Sequence, residues 1–381
     1  MKKVITIFLS AIIMCDFFTG CNFKINKKIN TPVPPNNNNH VDKPTIKIGF
    51  LTNIYGINDK SFNQAADEGI KRAKEKYGIS YKVIESKKDY DYESNLDTLT
   101  NAEKTTLVFC VGKDMEDAVK DVAPKKADSK FALIDAVIEL PNVESFTFKK
   151  EEAAFLAGIV AGKMTLANKV GFIGGENIQA VNMIESAFAA GVKTVNSAAA
   201  EGLLSKDQKS YPKEVRYGKD DNFTNINKSY KLGISLFKDG CDVVYHTGDG
   251  NGEGLFAAAK EITDKGNNKA WAIGDDRDQA IEFPEYAPYI LTSAVKRVDN
   301  VAYDAVEDVM NNEFKGGKHT ILGLKEDGVG LAQSSYKNTP GDVLDLVDKY
   351  ADLVKDKKIT VPQDRNGVLN FKAPQIEENS K

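Results

Sequence analysis

The chain has 381 residues, of which 28% are charged and 41% hydrophobic, and a formal net charge of -4. At roughly 100–200 residues per domain, that length holds two lobes plus extras. The mild acidity excludes a general nucleic-acid binder, which needs a concentrated basic face. Cys15, Cys21, Cys110 and Cys241 form no C-x-x-C pair, which excludes a zinc-ribbon spacing.

Residues 1–21 read as a leader. Lys2 and Lys3 precede a short apolar run, residues 4–14, and F-T-G-C ends the segment at Cys21. The run is shorter than the roughly 20 residues that span a bilayer, so it reads as a signal peptide. Phe18, Thr19, Gly20 and Cys21 resemble a lipobox, in which the cysteine is acylated and becomes the new N-terminus. The competing reading is a plain signal peptide with an incidental cysteine. Residues 22–44 are rich in Asn, Lys and Pro and show no apolar period. They read as a disordered tether, with His40 a solvated residue in it.

From residue 46 the patterns of strand and helix alternate. Strands are expected at 46–52, 81–86, 106–111, 130–135 and 143–148, with helices at 61–77, 93–102 and 113–123. A helix at 151–164 opens a second series. It continues as strand 169–173, helix 180–194, a polar excursion near 205–212, strand 213–217 and helix 224–237. Strand 241–246, helix 253–264 and strand 269–274 complete it. The tail reads as strand 289–295, helix 299–312, a G-G-K turn, strand 319–324 and helix 341–354. Such alternation implies parallel sheet with crossover helices. Two series imply two Rossmann-like α/β lobes joined by three crossovers, the pattern of a type I periplasmic binding protein, with a cleft between the lobes. We place the crossovers near 148, 274–283 and 317–320. The N-lobe is then 45–148 plus 280–318, the C-lobe 149–279 plus 319–372, and 373–381 a tail. Cys110 and Cys241 lie in apolar runs and read as buried thiols.

The loop after the first strand is where open α/β sheets bind ligands. It carries N-D-K-S-F-N-Q-A at 58–65. Ser61 and Gln64 have a capping-box spacing, which starts the first helix. A-F-L-A-G, G-F-I-G-G, G-D-D-R-D-Q and T-S-A-V-K lie downstream in order. Together these five motifs resemble the basic membrane protein family, bacterial lipoproteins similar to purine nucleoside receptor A that serve as binding subunits of nucleoside importers. The resemblance covers the chain from about residue 46 to the C-terminal region.

The resemblance implies a role for each matched residue. Phe62 stacks on the purine; the residues alone favour core packing for it, as the first apolar residue of the helix face. Asn63 reads the base edge or the ribose. Asp59 and Ser61 flank it as ligand-side or capping groups. Asp135 ends an apolar strand and accepts from the base. Phe223 is the second stacking ring, or a residue stapling a helix start. Asp276 takes the ribose-binding position, with Asp275 where the family has an apolar residue, and Lys296 reaches the ribose. Gly248 and Asp249 open a glycine-rich loop, G-D-G-N-G-E-G at 248–254. It fits neither a dinucleotide fingerprint nor a phosphate loop, and its acids would repel phosphate. Trp271 reads as core, and His246 and His319 as structural residues.

The function these readings imply is a lipid-anchored, extracytoplasmic binding protein on the cell membrane. It would capture a nucleoside such as guanosine, adenosine or inosine for an ABC permease and its ATPase. We expect no cofactor, no metal, no nucleic-acid partner and a monomer. The alternatives are a sugar receptor or surface adhesin or antigen on the same fold, and a nucleoside-cleaving enzyme. The chain shows no nucleophile elbow and no H-E-x-x-H run, which weighs against the enzyme.

Overall fold

The computed structural model describes residues 46–204, 212–218, 225–248, 252–266 and 269–376. Cys21 and the leader, the tether, residues 205–211, Phe223 and Asp249 lie outside the described residues, as do 377–381 of the expected tail.

The first run of elements is β1 (Lys47–Thr52), α1 (Phe62–Tyr77), β2 (Ser80–Glu85), α2 (Tyr92–Asp97), β3 (Leu107–Val111), α3 (Glu116–Val122), β4 (Lys130–Ile134) and β5 (Val143–Phe148). The second is α4 (Lys150–Met164), β6 (Val170–Gly174), α5 (Gln179–Val195), α6 (Ser197–Ala200), β7 (Val215–Tyr217), α7 (Ile226–Lys238), β8 (Val243–Thr247), α8 (Gly252–Lys265), β9 (Trp271–Asp276), α9 (Gln279–Glu282) and β10 (Ile290–Lys296). The chain ends with α10 (Val298–Met310), β11 (His319–Leu322), β12 (Val329–Leu331), α11 (Gly341–Lys355) and α12 (Arg365–Asn370).

The described strands form two six-stranded sheets of matching design, β11-β5-β4-β3-β1-β2 and β12-β10-β9-β8-β6-β7. All pairings are parallel except β10 with β12. The central strands β3 and β8 are buried along their whole length, as expected where helices cover both faces of a parallel sheet. Cys110 and Cys241 are free and buried. Trp271 opens β9 rather than sitting within it and is only half-buried, with the Lys269 ammonium 4.7 Å from its ring centre.

The chain passes from the first sheet to the second after Phe148. The other two crossings fall later than the expected 274–283 and 317–320. β10 lies between β9 and β12 in the second sheet, so its residues do not belong to the N-lobe, and the expected 280–318 segment is corrected. Thr292 and Ser293 are buried on it, as for any strand flanked on both sides. The second crossing is therefore at Arg297. From there α10 packs on α1 so closely that a Cβ on Gly69 would stand 2.1 Å from the Asp299 carbonyl oxygen. β11 pairs with β5, which moves the third crossing to 323–328. The first lobe thus comprises residues 46–148 and 298–322, and the second holds the rest from Lys150 onward.

Candidate functional site

Both sheets turn their carboxyl ends toward a common seam, and the loops and helix starts beyond those ends build the site. After β1 the loop 53–61 leads into α1. Ser61 precedes the helix but makes no capping hydrogen bond with its side chain. Asp59 does that work instead: its carboxylate accepts from the backbone N–H of Ser61 (2.9 Å), Asn63 (3.0 Å) and Gln64 (3.1 Å). The capping box expected of Ser61 and Gln64 is therefore replaced. The Ser61 hydroxyl is released to reach the other lobe, where it donates to Asp276 at 3.3 Å. Burial pushes the Asp59 carboxyl up against the pull of these hydrogen bonds.

Asn63 is fully buried. Its side-chain N–H donates to Asn53 at 2.7 Å and to Asp59 at 2.9 Å, which fixes the amide. Its Oδ1 is left buried without a hydrogen-bond partner. An orphaned acceptor of this kind costs on the order of 1–3 kcal/mol unless a donor reaches it. Phe62 packs into the first lobe's core with 8% exposure. Gly112, after β3, closes the same corner: at φ +113 a Cβ there would stand 3.5 Å from Asn53 Nδ2 and 3.9 Å from Phe62.

Asp135 and Asp276 hold equivalent places. Each sits at the carboxyl end of a strand, β4 or β9, and these strands occupy the same position in the order of their sheets. Both are left-handed, with φ of 66 and 62, a conformation that Asp tolerates better than most residues. Each is paired with a lysine at a crossover. Lys296, the last residue of β10, donates to Asp135 at 2.5 Å across the seam. Lys150, the first residue of α4, donates to Asp276 at 2.8 Å and to Asp275 at 2.9 Å. The Lys296 ammonium also lies 4.9 Å from the centre of the Phe62 ring and 5.6 Å from that of Phe148. Burial pushes both ammoniums down. The facing carboxylates outweigh it, Asp135 for Lys296 and Asp275 with Asp276 for Lys150, so both are held above their ordinary values.

A cavity of about 150 Å³ opens on the seam. Asp59, Ser61, Gly248 and Asp276 line it, together with His246, Asp275, Gln279 and Phe283. Phe62, Asn63, Asp135 and Lys296 are outside that lining; Lys296 instead lines a second cavity, of about 210 Å³, that Asp276 also borders. The expected Asp276–Lys296 clamp is not a direct pair here, because each partner is held by another charge. Gly248 is at φ +140. Across the seam, Lys60 stands 3.9 Å from the Phe283 ring centre. Arg277 donates to Glu68 at 2.9 and 3.0 Å.

Sequence reasoning gave no site role to His246 and Gln279, which line the cavity, nor to Asn53 and Lys150, which hydrogen-bond Asn63 and Asp276. For Lys150 the signal was partial: the doubled acid Asp275-Asp276 demands a cation, but nothing in K-K-E-E at 149–152 says that Lys150 supplies it. His246 is buried on β8, and burial pushes its imidazole down to about 4. It is thus neutral at neutral pH and must bind a proton when the chain unfolds below about pH 6.5. Because the unfolded state then holds more protons, stability falls as pH drops from about 6.5 to 4, by on the order of 3 kcal/mol. The expected result is a melting temperature that declines over that window in the wild type and declines less in His246→Gln, read by calorimetry.

Among the described residues no helix is long and apolar enough to cross a membrane, and no cluster could hold a metal ion. A family model described as ABC transporter substrate-binding protein PnrA-like matches residues 48–364. The CD4+ T-cell-stimulating antigen of Listeria monocytogenes is 34% identical over 83% of this chain and 88% of its own. The ABC transporter nucleoside-binding protein BmpA of Lactococcus lactis is 31% identical over 84% of this chain and 90% of its own. Among solved structures, an ABC transporter solute-binding protein from Aeropyrum pernix superposes with a TM-score of 0.68 and 25% identity. That superposition covers 85% of this chain and 95% of the other. The two parallel-rich α/β sheets are thus those of the type I periplasmic solute-binding fold.

Proposed function

The chain belongs to the family of PnrA-like ABC transporter substrate-binding proteins, and from that premise we propose that it captures a nucleoside, of the purine class, between its lobes and presents it to an ABC permease. The observation that carries this reading is the Lys296 ammonium, held against Asp135 of the opposite lobe and over the Phe62 ring. A ring face, an acid and an ammonium meet there from both lobes, and the Asp276 carboxylate acts on the same ammonium; the next residue after Phe62, Asn63, keeps a buried Oδ1 without a partner. A purine needs a flat apolar face and acceptors for its N–H groups. A ribose needs a carboxylate for its hydroxyls and a donor beside it. In this reading the base takes the Phe62 face that the ammonium covers, and Lys296 turns to the sugar.

The acids Asp59, Glu253, Asp275 and Asp276 around the cavity favour an uncharged nucleoside over a nucleotide. Cys21 would carry the lipid that tethers the protein to the outer face of the membrane; each buried CH₂ adds about 0.8 kcal/mol to that hold. The mass of the mature N-terminus reports whether it is acylated.

The test is a thermal-shift screen of guanosine, inosine and adenosine against ribose, glucose and galactose. A nucleoside at a hundred times its Kd is expected to add about 2.7 kcal/mol of stability. Stabilisation by sugars alone, or release of free base on incubation with a nucleoside, would overturn the reading.

A further inference from the structure

We propose that Lys150 is a positioning residue for the ligand site: it neutralises Asp275 and so keeps the neighbouring Asp276 carboxylate a charged, fixed acceptor facing the seam. The proposal rests on the reading of Asp276 as a ribose-binding group. It concerns a residue that touches Asp276 rather than the ligand.

The geometry carries it. Asp275 and Asp276 are adjacent in β9 and are 6% and 5% exposed. Two carboxylates so close and so buried cannot both stay ionised without a cation. Lys150 Nζ bridges them, at 2.9 Å to Asp275 Oδ2 and 2.8 Å to Asp276 Oδ1. Asp275 is anchored on its other side by the Tyr245 hydroxyl at 2.9 Å and the Thr247 hydroxyl at 2.6 Å. Asp275 is thus held by three donors, the Lys150 ammonium and the two hydroxyls. Asp276 accepts from the Ser61 hydroxyl over a longer 3.3 Å. With Lys150 removed, a shared proton would settle on Asp276.

Other charges face this carboxylate: Asp59, Lys60 and Glu253 line the same cavity, and Arg277 lines a neighbouring one. Lys296 approaches from β10, with Asp135 behind it from the first lobe. His246 approaches from β8 and is neutral near pH 7. Lys296 is already committed to Asp135 at 2.5 Å, so it cannot replace Lys150 without releasing that acid. The two crossovers thus deliver one lysine each to two equivalent acids.

The full chain is titrated with guanosine and inosine by calorimetry between about pH 5.5 and 8.5. Wild-type affinity is expected to be flat across that range. Lys150→Met is expected to bind about tenfold or more weakly at the acid end and to recover in part as pH rises. Lys150→Arg retains the wild-type profile. Lys150→Met combined with Asp275→Asn also returns a flat profile, because the second change removes the charge that Lys150 balanced. An affinity of Lys150→Met that tracks the wild type at every pH, or is lowered by one factor throughout, overturns the proposal and leaves Lys150 a structural brace.

A ligand-free arm separates this claim from the proposed function. In Lys150→Met a native carboxyl holds a proton that the unfolded chain has released. The variant's melting temperature should therefore fall relative to wild type as pH rises from about 4 toward 8, and Asp275→Asn should cancel the fall. A difference independent of pH overturns the proposal. If no nucleoside binds the wild type, the proposed function fails while this arm still decides the role of Lys150.

Discussion

Asp276→Asn is expected to weaken nucleoside binding by about 1.5–3 kcal/mol, on the order of tenfold to a hundredfold. The substitution is chosen by the backbone. Asp276 sits at φ +62, where alanine would add strain but asparagine is among the residues that visit this region readily. It keeps the shape and removes the charge. Lys150 retains Asp275 at 2.9 Å, so no buried ammonium is stranded and the fold should hold. What is lost is a carboxylate that can accept from two vicinal hydroxyls at once, with charge-assisted strength. The loss should therefore belong to the sugar. Guanosine and inosine should weaken in isothermal titration, while 2′,3′-dideoxyinosine, already deprived of those hydroxyls, should bind wild type and variant alike. An equal loss for the dideoxy compound would mean that Asp276 acts on the base or on closure, and unchanged guanosine affinity would remove it from the site.

Local pattern in the sequence encodes elements and their ends, but not their partners. Continuous apolar runs such as L-V-F-C-V and F-A-L-I placed β3 and β4 within a residue of their ends. The helix spacing from Phe62 to Tyr77 with Gly78 beyond it placed α1, and Gly78 takes the left-handed φ +66 expected at such an end. The acids at strand ends, Asp135 and Asp276, were visible because a carboxylate closing an apolar strand has no packing reason to be there. Partnership was not visible. I-L-T-S-A-V-K is a strand whichever sheet it joins, and only the pairing with β9 and β12 assigns β10 to the second. The three-residue β12 has too few positions to show a period. Ser61 and Gln64 had the spacing of a cap, yet Asp59, two residues ahead of Ser61, accepts the three backbone hydrogen bonds that start the helix. Lys150 reads as one more charge in K-K-E-E until Asp275 and Asp276 are seen beside it.

Gly158→Val is expected to abolish the native fold of the second lobe, at a cost of about 4 kcal/mol or more. Gly158 belongs to A-F-L-A-G, one of the motifs that carried the family resemblance, and it lies far from any ligand role. It is where α4 and α5 touch backbone to backbone. A Cβ on Gly158 would stand 2.2 Å from the Phe188 carbonyl oxygen and 2.9 Å from the Gly191 Cα. The reciprocal Cβ on Gly191 would stand 2.0 Å from the Phe155 carbonyl oxygen. No side-chain rotation relieves a clash with backbone, so the helices must part. Parting them opens the cluster in which Phe155, Ile159, Phe188 and Val192 are all fully buried. Ordinary overpacking in a core costs about 1–3 kcal/mol because neighbours can shift, and here the neighbour is α5, buried without a break from Ile184 to Val192. Gly330→Ala is the control: a Cβ there meets nothing within 4 Å, and its effect should stay within about 0.5 kcal/mol. Denaturant unfolding of both variants checks the pair. A Gly158→Val protein with the wild-type midpoint would show that the helix contact is slack and that the motif's glycine serves something other than packing.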